Sequence, residues 1–334
     1  MKFAIDAHGG DNAPAAVIEG TLEAMNRNDD FCVIFCGDEN TIKALLAEHK
    51  YDAARVSISH APDIITCEES PTSAVSHKPD SSLVRGLNLV AAKEADCFIS
   101  AGNTGAVLAG AIFKVKRVPG IKRPALAPIL PTLQGPVILI DCGANVDCKP
   151  EFLVQFAQMG SAYMSGVYGI KAPRVALINN GAEETKGNEL TKTAYQLLKD
   201  VPGINFVGNC EPRDIMSGDY DVLVCDGFVG NTVLKSHEGA ANAIMKMLKT
   251  EIMSKKRSKI GALLCRNAFR TLKHKMDYKE YGGAPLLGVN GGVIKAHGSS
   301  DAHAFCSAIM QARALVSGSV TEKITEAACT AQQN

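Results

Sequence analysis

The chain lacks tryptophan altogether, only 5% of its residues are aromatic, and it has no excess of either charge. Lys and Arg together number 35, as do Asp and Glu, so the formal net charge is zero and gives no support for a nucleic-acid partner. No uncharged apolar run approaches the roughly 18 residues that a transmembrane helix needs. The N-terminal sequence MKFAIDAHGG also lacks the apolar stretch of a secretory signal peptide. We therefore expect a soluble, cytoplasmic protein.

Motifs that mark several common enzyme classes are absent too. There is no GxxxxGKS or GxxxxGKT, which argues against a P-loop nucleotide site, and no GxGxxG, which argues against a nicotinamide cofactor. No GxSxG is present to anchor a hydrolase triad. His and Cys residues do not show the spacing of metal ligands. We expect neither a metal nor a cofactor.

The eleven cysteines form no CxxC pair and are odd in number, which favours buried, reduced thiols over a disulfide framework or a zinc site. Cys142 and Cys225 each lie beside an aspartate at the end of an apolar run. They could serve as nucleophiles in thioester exchange. A neighbouring carboxylate should raise the pKa of a thiol rather than activate it, so a structural role is favoured for both.

A recurring pattern indicates the fold. Short apolar or β-branched runs end in small, polar, glycine-rich turns, and an amphipathic stretch often follows; the runs are residues 2–6, 32–35, 97–100, 137–140, 175–178, 221–224 and 293–296. Such runs are typical of strands buried on both faces of a mostly parallel sheet. We predict a three-layer α/β/α sandwich with a doubly wound sheet, in one domain that spans residues 1–334.

The glycine-rich turns are the candidate site, because ligands of such folds bind beyond the carboxyl ends of the strands. Glycines let backbone N–H groups approach an anion, and hydroxyls, amides and lysines complete a phosphate site. A single turn of this kind is more often only a tight connection, but several together favour a site. The candidates are Asp6, Gly9, Gly10, Asp11, Ser100, Gly102, Asn103, Thr104, Asp141, Gly143, Asn145, Asp226, Gly227, Asn231, Lys235, His297, Gly298 and Ser299.

The segment from residue 245 to 279 stands apart, with eleven basic and only two acidic residues. Residues 260, 264, 268, 272 and 276 are apolar and four apart, which predicts one apolar helical stripe, with a basic face elsewhere. This pattern favours contact with a membrane surface or an acidic partner over a core-facing helix with a solvated basic back. The predicted contact residues are Ile260, Leu263, Leu264, Leu272, Arg266 and Arg270.

Taken together, the turns resemble one family along almost the whole chain. The matching segments include IDAHGGDNAP (5–14), SAGNTGA (100–106), DCGANVD (141–147), GAEETKG (181–187), CDGFVGN (225–231) and IKAHGSS (294–300). The chain is similar to the bacterial phosphate acyltransferases, which convert acyl-acyl-carrier protein and phosphate into acyl-phosphate for phospholipid synthesis. The resemblance implies a fold like those of phosphotransacetylases and isocitrate-type dehydrogenases, and a homodimer. It also implies peripheral attachment to an anionic membrane, at the inner face of the cell membrane, through a helical protrusion at about 250–277.

Three positions depart from the family pattern. His8 stands where the family usually has Met, Ser76 where it has Arg, and Asn180 where an apolar residue is usual. The missing arginine weakens an anion site in that loop, where His77 and Lys78 are the nearest replacements.

The implied reaction suggests roles. Ser100, Asn103 and Thr104, with Lys186 or Lys235, would hold phosphate, and backbone N–H groups with Asn145 or Asn231 would form an oxyanion site. His297 would protonate the leaving thiolate; a hydrogen-bonded structural role is an equal alternative for this histidine. The predicted catalytic residues are therefore His297, Asn231, Lys186 and Asp226, and the predicted partners are acyl carrier protein and inorganic phosphate.

Three other functions compete. An acyl-CoA phosphotransacylase would use a different donor, and an NAD-dependent dehydrogenase could share the architecture. A non-catalytic scaffold at the membrane surface could bind acyl carrier protein, although it would have no need of so many polar glycine turns.

Overall fold

A computed structural model describes residues 1–276 and 281–333. Three residues of the predicted basic segment, Asp277, Tyr278 and Lys279, lie outside the described residues. The side chains of Lys273, Lys275 and Met276 lie outside them as well.

Strands and helices alternate along most of the chain. The strands are β1 (Lys2–Asp6), β2 (Cys32–Gly37), β3 (Val56–His60), β4 (Cys97–Ser100), β5 (Ala125–Leu126), β6 (Ile129–Pro131), β7 (Pro136–Ile140), β8 (Arg174–Ile178), β9 (Asn205–Cys210), β10 (Val222–Val224), β11 (Gly283–Leu287) and β12 (Gly292–Ala296). The helices are α1 (Ala15–Arg27), α2 (Glu39–Leu46), α3 (Pro71–His77), α4 (Ser82–Ala91), α5 (Thr104–Gly110), α6 (Pro150–Tyr168), α7 (Glu189–Lys199), α8 (Gly227–Ser254), α9 (Lys256–Leu264), α10 (Arg266–Met276), α11 (Ala302–Ser317) and α12 (Val320–Gln333).

Within the described ranges, the strands form two sheets. The first has the order β3-β2-β1-β4-β12-β11-β5, and the second has the order β6-β7-β10-β8-β9. Pairing is parallel except where β11 meets β12 and β5, and where β6 meets β7. The predicted α/β class with mostly parallel strands is confirmed, but the strands are divided between two sheets rather than placed in one.

The chain crosses from one sheet to the other within a few residues. Strand β5 pairs with β11 in the first sheet, and β6 pairs with β7 in the second. Only residues 127 and 128 separate β5 from β6. The backbone N–H of Cys142, just after β7, donates to the carbonyl of Leu126 at 2.8 Å and ties the two sheets together here.

The strands predicted as doubly buried are buried. Phe3, Ala4 and Ile5 of β1 have no exposed surface, as expected for parallel strands covered on both faces. One core cluster contains side chains from both sheets and from α6 and α11, such as Phe156 and Phe305. The assignment of residues 1–334 to a single domain stays a prediction.

Helices α8, α9 and α10 project from this body. Helix α8 has 28 residues, about 42 Å at 1.5 Å per residue, and its buried residues, Gly227 and Gly230, lie in its first turn. The side chains of Ile260, Leu263 and Leu264 on α9 are 65%, 69% and 84% exposed. Among the helices of residues 1–276 and 281–333, none combines the length and the hydropathy of a membrane-spanning segment.

The prediction of a single apolar helical stripe over residues 260–276 is wrong. Helix α9 ends at Leu264 and α10 begins at Arg266, so the stripe is divided between two helices. The break falls at Cys265, whose φ of −91° and ψ of 11° end the regular helix. The apolar side chains are nevertheless exposed at the surface.

Candidate active site

A cavity of about 400 Å³ lies between the carboxyl ends of strands from both sheets. The turn after β4 supplies Thr104 and the turn after β7 supplies Gly143. Parallel strands end at the same edge of a sheet, which is why turns distant in sequence meet here. Of the predicted site residues, those that line the cavity are Thr104, Gly143, Asn231, Lys235, His297, Gly298 and Ser299.

The turn after β1 lies behind this cavity rather than in its wall. Ser100 Oγ donates to Asp6 Oδ2 at 2.6 Å and accepts a hydrogen bond from the N–H of Gly102 at 3.0 Å. A Cβ atom on Gly9 would lie 2.5 Å from Asp6 Oδ2, so this position requires glycine. Burial raises the pKa of Asp6, and the hydrogen bond from Ser100 opposes that rise. These residues shape the turn and do not reach the cavity.

Gly10 and Asp11 connect the turn after β1 to the turn after β12. Gly10 has a φ of +109°, a conformation that favours glycine. The N–H of Asp11 donates to the carbonyl of Gly298 at 2.8 Å. The predicted residues of the first turn therefore position a cavity residue of the last one.

The side chain of Asn103 forms hydrogen bonds with nearby main-chain groups. Its side-chain oxygen accepts a hydrogen bond from the N–H of Ala106 and caps α5, and its Nδ2 donates to the carbonyls of Thr66, Cys67 and Glu69 at 3.1–3.2 Å. This amide ties the 66–69 loop to α5. It leaves Thr104, the first residue of the helix, exposed at the cavity wall.

Asp141 and Asn145 hold the turn after β7 together. The Asp141 carboxylate accepts hydrogen bonds from the N–H groups of Leu126 at 2.8 Å and Asn145 at 2.6 Å, and from Asn145 Nδ2 at 3.0 Å. Asn145 Nδ2 also donates to the carbonyl of Pro124. Burial raises the pKa of Asp141 to about 6 despite these bonds. Neither side chain lines the cavity.

The start of α8 packs on this turn and then enters the cavity wall. Asp226 caps the helix by accepting a hydrogen bond from Val229 N–H at 2.8 Å, and the Gly227 N–H donates to the carbonyl of Asn145 at 2.7 Å. One turn later, Asn231 and Lys235 line the cavity. Lys235 Nζ lies 2.7 Å from Glu238 Oε2, so its charge is already paired.

His297 follows β12 and reaches the cavity with a defined ring orientation. Its Nδ1 accepts a hydrogen bond from the N–H of Ser299 at 3.2 Å and lies 2.9 Å from Ser299 Oγ. We assign the proton of the neutral ring to Nε2 on this basis. Burial lowers the pKa of His297, and the nearby charge of Lys235 lowers it further. The imidazole is therefore mostly neutral at neutral pH.

Lys295, which the sequence reasoning missed, is the most unusual group in the cavity wall. It lies on β12 with only 7% of its surface exposed. Its Nζ donates to the main-chain carbonyls of Ala101, at 3.4 Å, and Ala296. In the part of the chain that the structure describes, no carboxylate forms a salt bridge with it. Burial lowers the pKa of Lys295 to about 8. The available signal was a lysine within the otherwise apolar strand GVIKA.

Lys186 is not brought to the cavity. It lies exposed in the turn after β8, where its own carbonyl accepts a hydrogen bond from Asn179 Nδ2 at 3.1 Å. Strands β8 and β10 are parallel neighbours, so this turn lies at the same edge of the second sheet as the start of α8. Lys186 does not line the cavity walls.

The three positions that depart from the family pattern are also outside the cavity walls. His8 Nε2 accepts a hydrogen bond from the N–H of Asp38 at 2.9 Å, and Ser76 Oγ donates to the carbonyl of Thr72 at 2.9 Å within α3. Asn180 is exposed in the turn after β8.

Cys142 is in the cavity wall and Cys225 is buried behind it. Burial, reinforced by nearby negative charges, raises the pKa of both thiols well above their usual value. Neither is a thiolate at neutral pH, in agreement with the structural role favoured from the sequence. Among residues 1–276 and 281–333, no group of three His, Cys, Asp or Glu side chains could hold a metal ion.

Comparisons with known proteins agree on the family. A family model described as a fatty acid synthesis protein matches residues 1–323. The chain is 49% identical to a phosphate acyltransferase of Clostridium perfringens, with both chains fully covered. It is 51% identical to a phosphate acyltransferase of Clostridium acetobutylicum, covering 97% of this chain and 98% of that one.

Solved structures resemble the chain in fold alone. The EutD phosphotransacetylase of Staphylococcus aureus has a TM-score of 0.55 and 16% identity, and each chain is 94% covered. A branched-chain phosphotransacylase of Enterococcus faecalis has a TM-score of 0.57 and 14% identity, covering 95% of this chain and 99% of that one. The family model and the two full-length relatives show that the chain belongs to the phosphate acyltransferase family.

Proposed function

We propose that the chain transfers a long-chain acyl group from the thioester of acyl carrier protein to inorganic phosphate, giving acyl-phosphate for phosphatidic acid and phospholipid synthesis. The observation that carries this proposal is the buried ammonium of Lys295 in a cavity formed by strand-end turns. A buried cation without a carboxylate partner is costly unless an anion joins it. Phosphate is an anion of suitable size and charge, and family membership identifies it as the acyl acceptor.

The chemical step needs no covalent enzyme intermediate. An oxygen of hydrogen phosphate attacks the thioester carbonyl carbon, a C–O bond forms and the C–S bond breaks. The phosphate proton ends on the departing sulfur, so the products are acyl-phosphate and the free carrier thiol. Because phosphate is already a competent nucleophile at neutral pH, orientation of the two substrates supplies a large part of the rate.

The cavity residues divide between these tasks. Lys295 and the Thr104 hydroxyl would hold phosphate, with the Lys235–Glu238 ion pair beside them. Asn231 and the backbone N–H groups of the glycine turns would stabilise the developing oxyanion, where losing one donor typically costs about 2.7–4 kcal/mol of barrier. Lys186 remains a proposal from the family resemblance.

We assign the contact with the leaving group to His297. With Nδ1 accepting from Ser299, the neutral ring would donate a hydrogen bond from Nε2–H to the departing sulfur, while the proton that ends on the sulfur comes from the phosphate. We expect His297→Ala to lower kcat at least tenfold without changing the phosphate KM to the same extent. A turnover within a few-fold of that of the unaltered protein would rule out this role.

The decisive assay measures phosphate-dependent release of carrier thiol from palmitoyl-acyl-carrier protein, with acyl-phosphate trapped by hydroxylamine. Thiol release that requires phosphate, together with acyl hydroxamate, is the expected result. Release only from acyl-CoA would identify a phosphotransacylase instead. Carrier binding without release from either donor would point to a scaffold.

Helices α9 and α10 would contact the membrane or the acyl carrier protein. Arg266 and Arg270 are exposed beside the apolar residues of α9 and α10, a combination suited to anionic lipid or to an acidic carrier protein. We propose a cytoplasmic enzyme that binds the inner face of the cell membrane through α9 and α10 and acts as a homodimer. The homodimer rests on the family resemblance alone.

A further inference from the structure

A second cavity of about 230 Å³ adjoins the first. The two share four lining residues, Thr104, Leu126, Gly143 and Lys295. These four residues, here called the shared wall, line both spaces, and the buried ammonium of Lys295 is among them. A ligand centred at this wall would contact both spaces at once.

The second cavity differs from the first in chemistry. Beyond the shared wall its lining is Gly105, Val107, Leu108, Ala144 and Leu286, with no charged or hydrogen-bonding side chain. Ordered water needs two to four polar partners, and aliphatic side chains offer none. The first cavity, in contrast, contains the Lys235–Glu238 ion pair and the His297 turn.

We infer that the second cavity is the subsite for the first methylenes of the acyl chain. The inference rests on the proposed function, which supplies a thioester whose two arms differ in polarity. The alkyl arm matches the aliphatic cavity, while the carrier's thiol-bearing arm, with its amides and hydroxyls, matches the polar one. The carbonyl between them is then held at the shared wall, beside Lys295 and Thr104, where phosphate attacks.

The size of the subsite predicts how donors of different chain length behave. Burial of one methylene favours binding by about 0.8 kcal/mol, or roughly fourfold. The value of kcat/KM should therefore rise about fourfold per carbon in short donors and level off once the cavity is full. Carbons beyond it would extend to the surface and add little.

Leu108→Trp tests the subsite, because Leu108 on α5 is only half-buried and lines the second cavity but not the first. If the indole displaces about three methylenes, kcat/KM for octanoyl- and palmitoyl-carrier protein should fall roughly 60-fold. Butyryl-carrier protein should change less than threefold. Leu108→Ala, which enlarges the cavity, should move the plateau to longer chains.

Leu234→Trp is the comparison variant, since Leu234 on α8 lines the first cavity only. A chain-length-dependent loss in Leu234→Trp, with none in Leu108→Trp, would overturn the inference and place the chain along the first cavity. A uniform loss for all donors in Leu108→Trp, with an unchanged melting temperature, would overturn it too. If the unaltered protein releases no thiol from any donor with phosphate, the proposed function itself fails.

Discussion

Replacing Lys295 by methionine should lower activity and raise stability together. Met keeps most of the length of the side chain but removes the charge. Truncating one partner of a buried, hydrogen-bonded charge pair typically costs 2–5 kcal/mol, so a loss of about 3 kcal/mol, on the order of 10²-fold in kcat/KM for phosphate, is expected. KM for the acyl donor should change little.

The stability effect follows from the lowered pKa of Lys295. A change from 10.5 in the unfolded chain to about 8 in the folded one corresponds to about 3 kcal/mol that the buried charge costs at neutral pH. The unfolded chain binds this proton more tightly, so the stability contributed by the residue rises with pH between about 8 and 10.5. Lys295→Met should therefore melt a few degrees higher at pH 7, with the difference shrinking towards pH 10.

The assay combines phosphate titrations of thiol release with thermal unfolding at both pH values. Lys93→Met is the matched control, because Lys93 is exposed and its Nζ also donates to a main-chain carbonyl, that of Asn290 at 2.8 Å. It should leave both activity and the melting temperature unchanged. A phosphate kcat/KM for Lys295→Met within threefold of the unaltered protein would refute the anion-binding argument. Activity lost together with a lower melting temperature would indicate a structural role instead.

Three further predictions concern pH, packing and the surface. The kcat/KM for phosphate should fall about tenfold per pH unit above about pH 8 as Lys295 loses its proton, and a pH-rate profile with no such limb would contradict this. Gly230→Ala should destabilise the fold by roughly 1–3 kcal/mol in urea unfolding, because its Cβ would lie 1.9 Å from a main-chain carbonyl oxygen of the β7 turn. The control is Gly239→Ala, also on α8 but with open space around it, which should leave stability unchanged or raise it. An equal loss of stability in both variants would contradict the packing argument. Leu264→Glu should weaken sedimentation with anionic liposomes at least fivefold, while Leu133→Glu, at a similarly exposed site elsewhere, should not; equal binding by both would exclude α9 from the membrane contact.

The sequence predicted the parts of the fold that depend on local chemistry. The buried runs at residues 2–6 and 97–100 are strands with the predicted bounds, because apolar and β-branched runs between glycine turns have few other stable conformations. Which strands pair with each other could not be predicted from local sequence in the same way. Strand β12 lies beside β4 although almost two hundred residues separate them, and nothing local specifies that neighbour or the division into two sheets.

For the candidate site, the sequence likewise predicted the positions of the turns but not the roles of their side chains. Glycine-rich turns were correctly expected at strand ends, but their polar side chains do not all point into the cavity. The side chains of Asn103, Asp141 and Asn145 are used to hold backbone groups, which a motif does not distinguish from ligand binding. Lys295 was missed because lysine is ordinarily a surface residue, and its burial arises only from tertiary packing.

Helix α8 connects the cavity to the exposed helix α9. Its first turns carry Asn231 and Lys235 in the cavity wall, and its last turn leads into α9, where the apolar side chains are exposed. The helix is continuous from Gly227 to Ser254, so a small change in its tilt at the first turn produces a larger displacement at its other end, about 42 Å away. A tilt of about 5° around the packed first turn would move the far end by roughly 4 Å. A contact that holds the far end of α8 would therefore restrict the tilt of the helix, and with it the positions of Asn231 and Lys235 in the cavity wall.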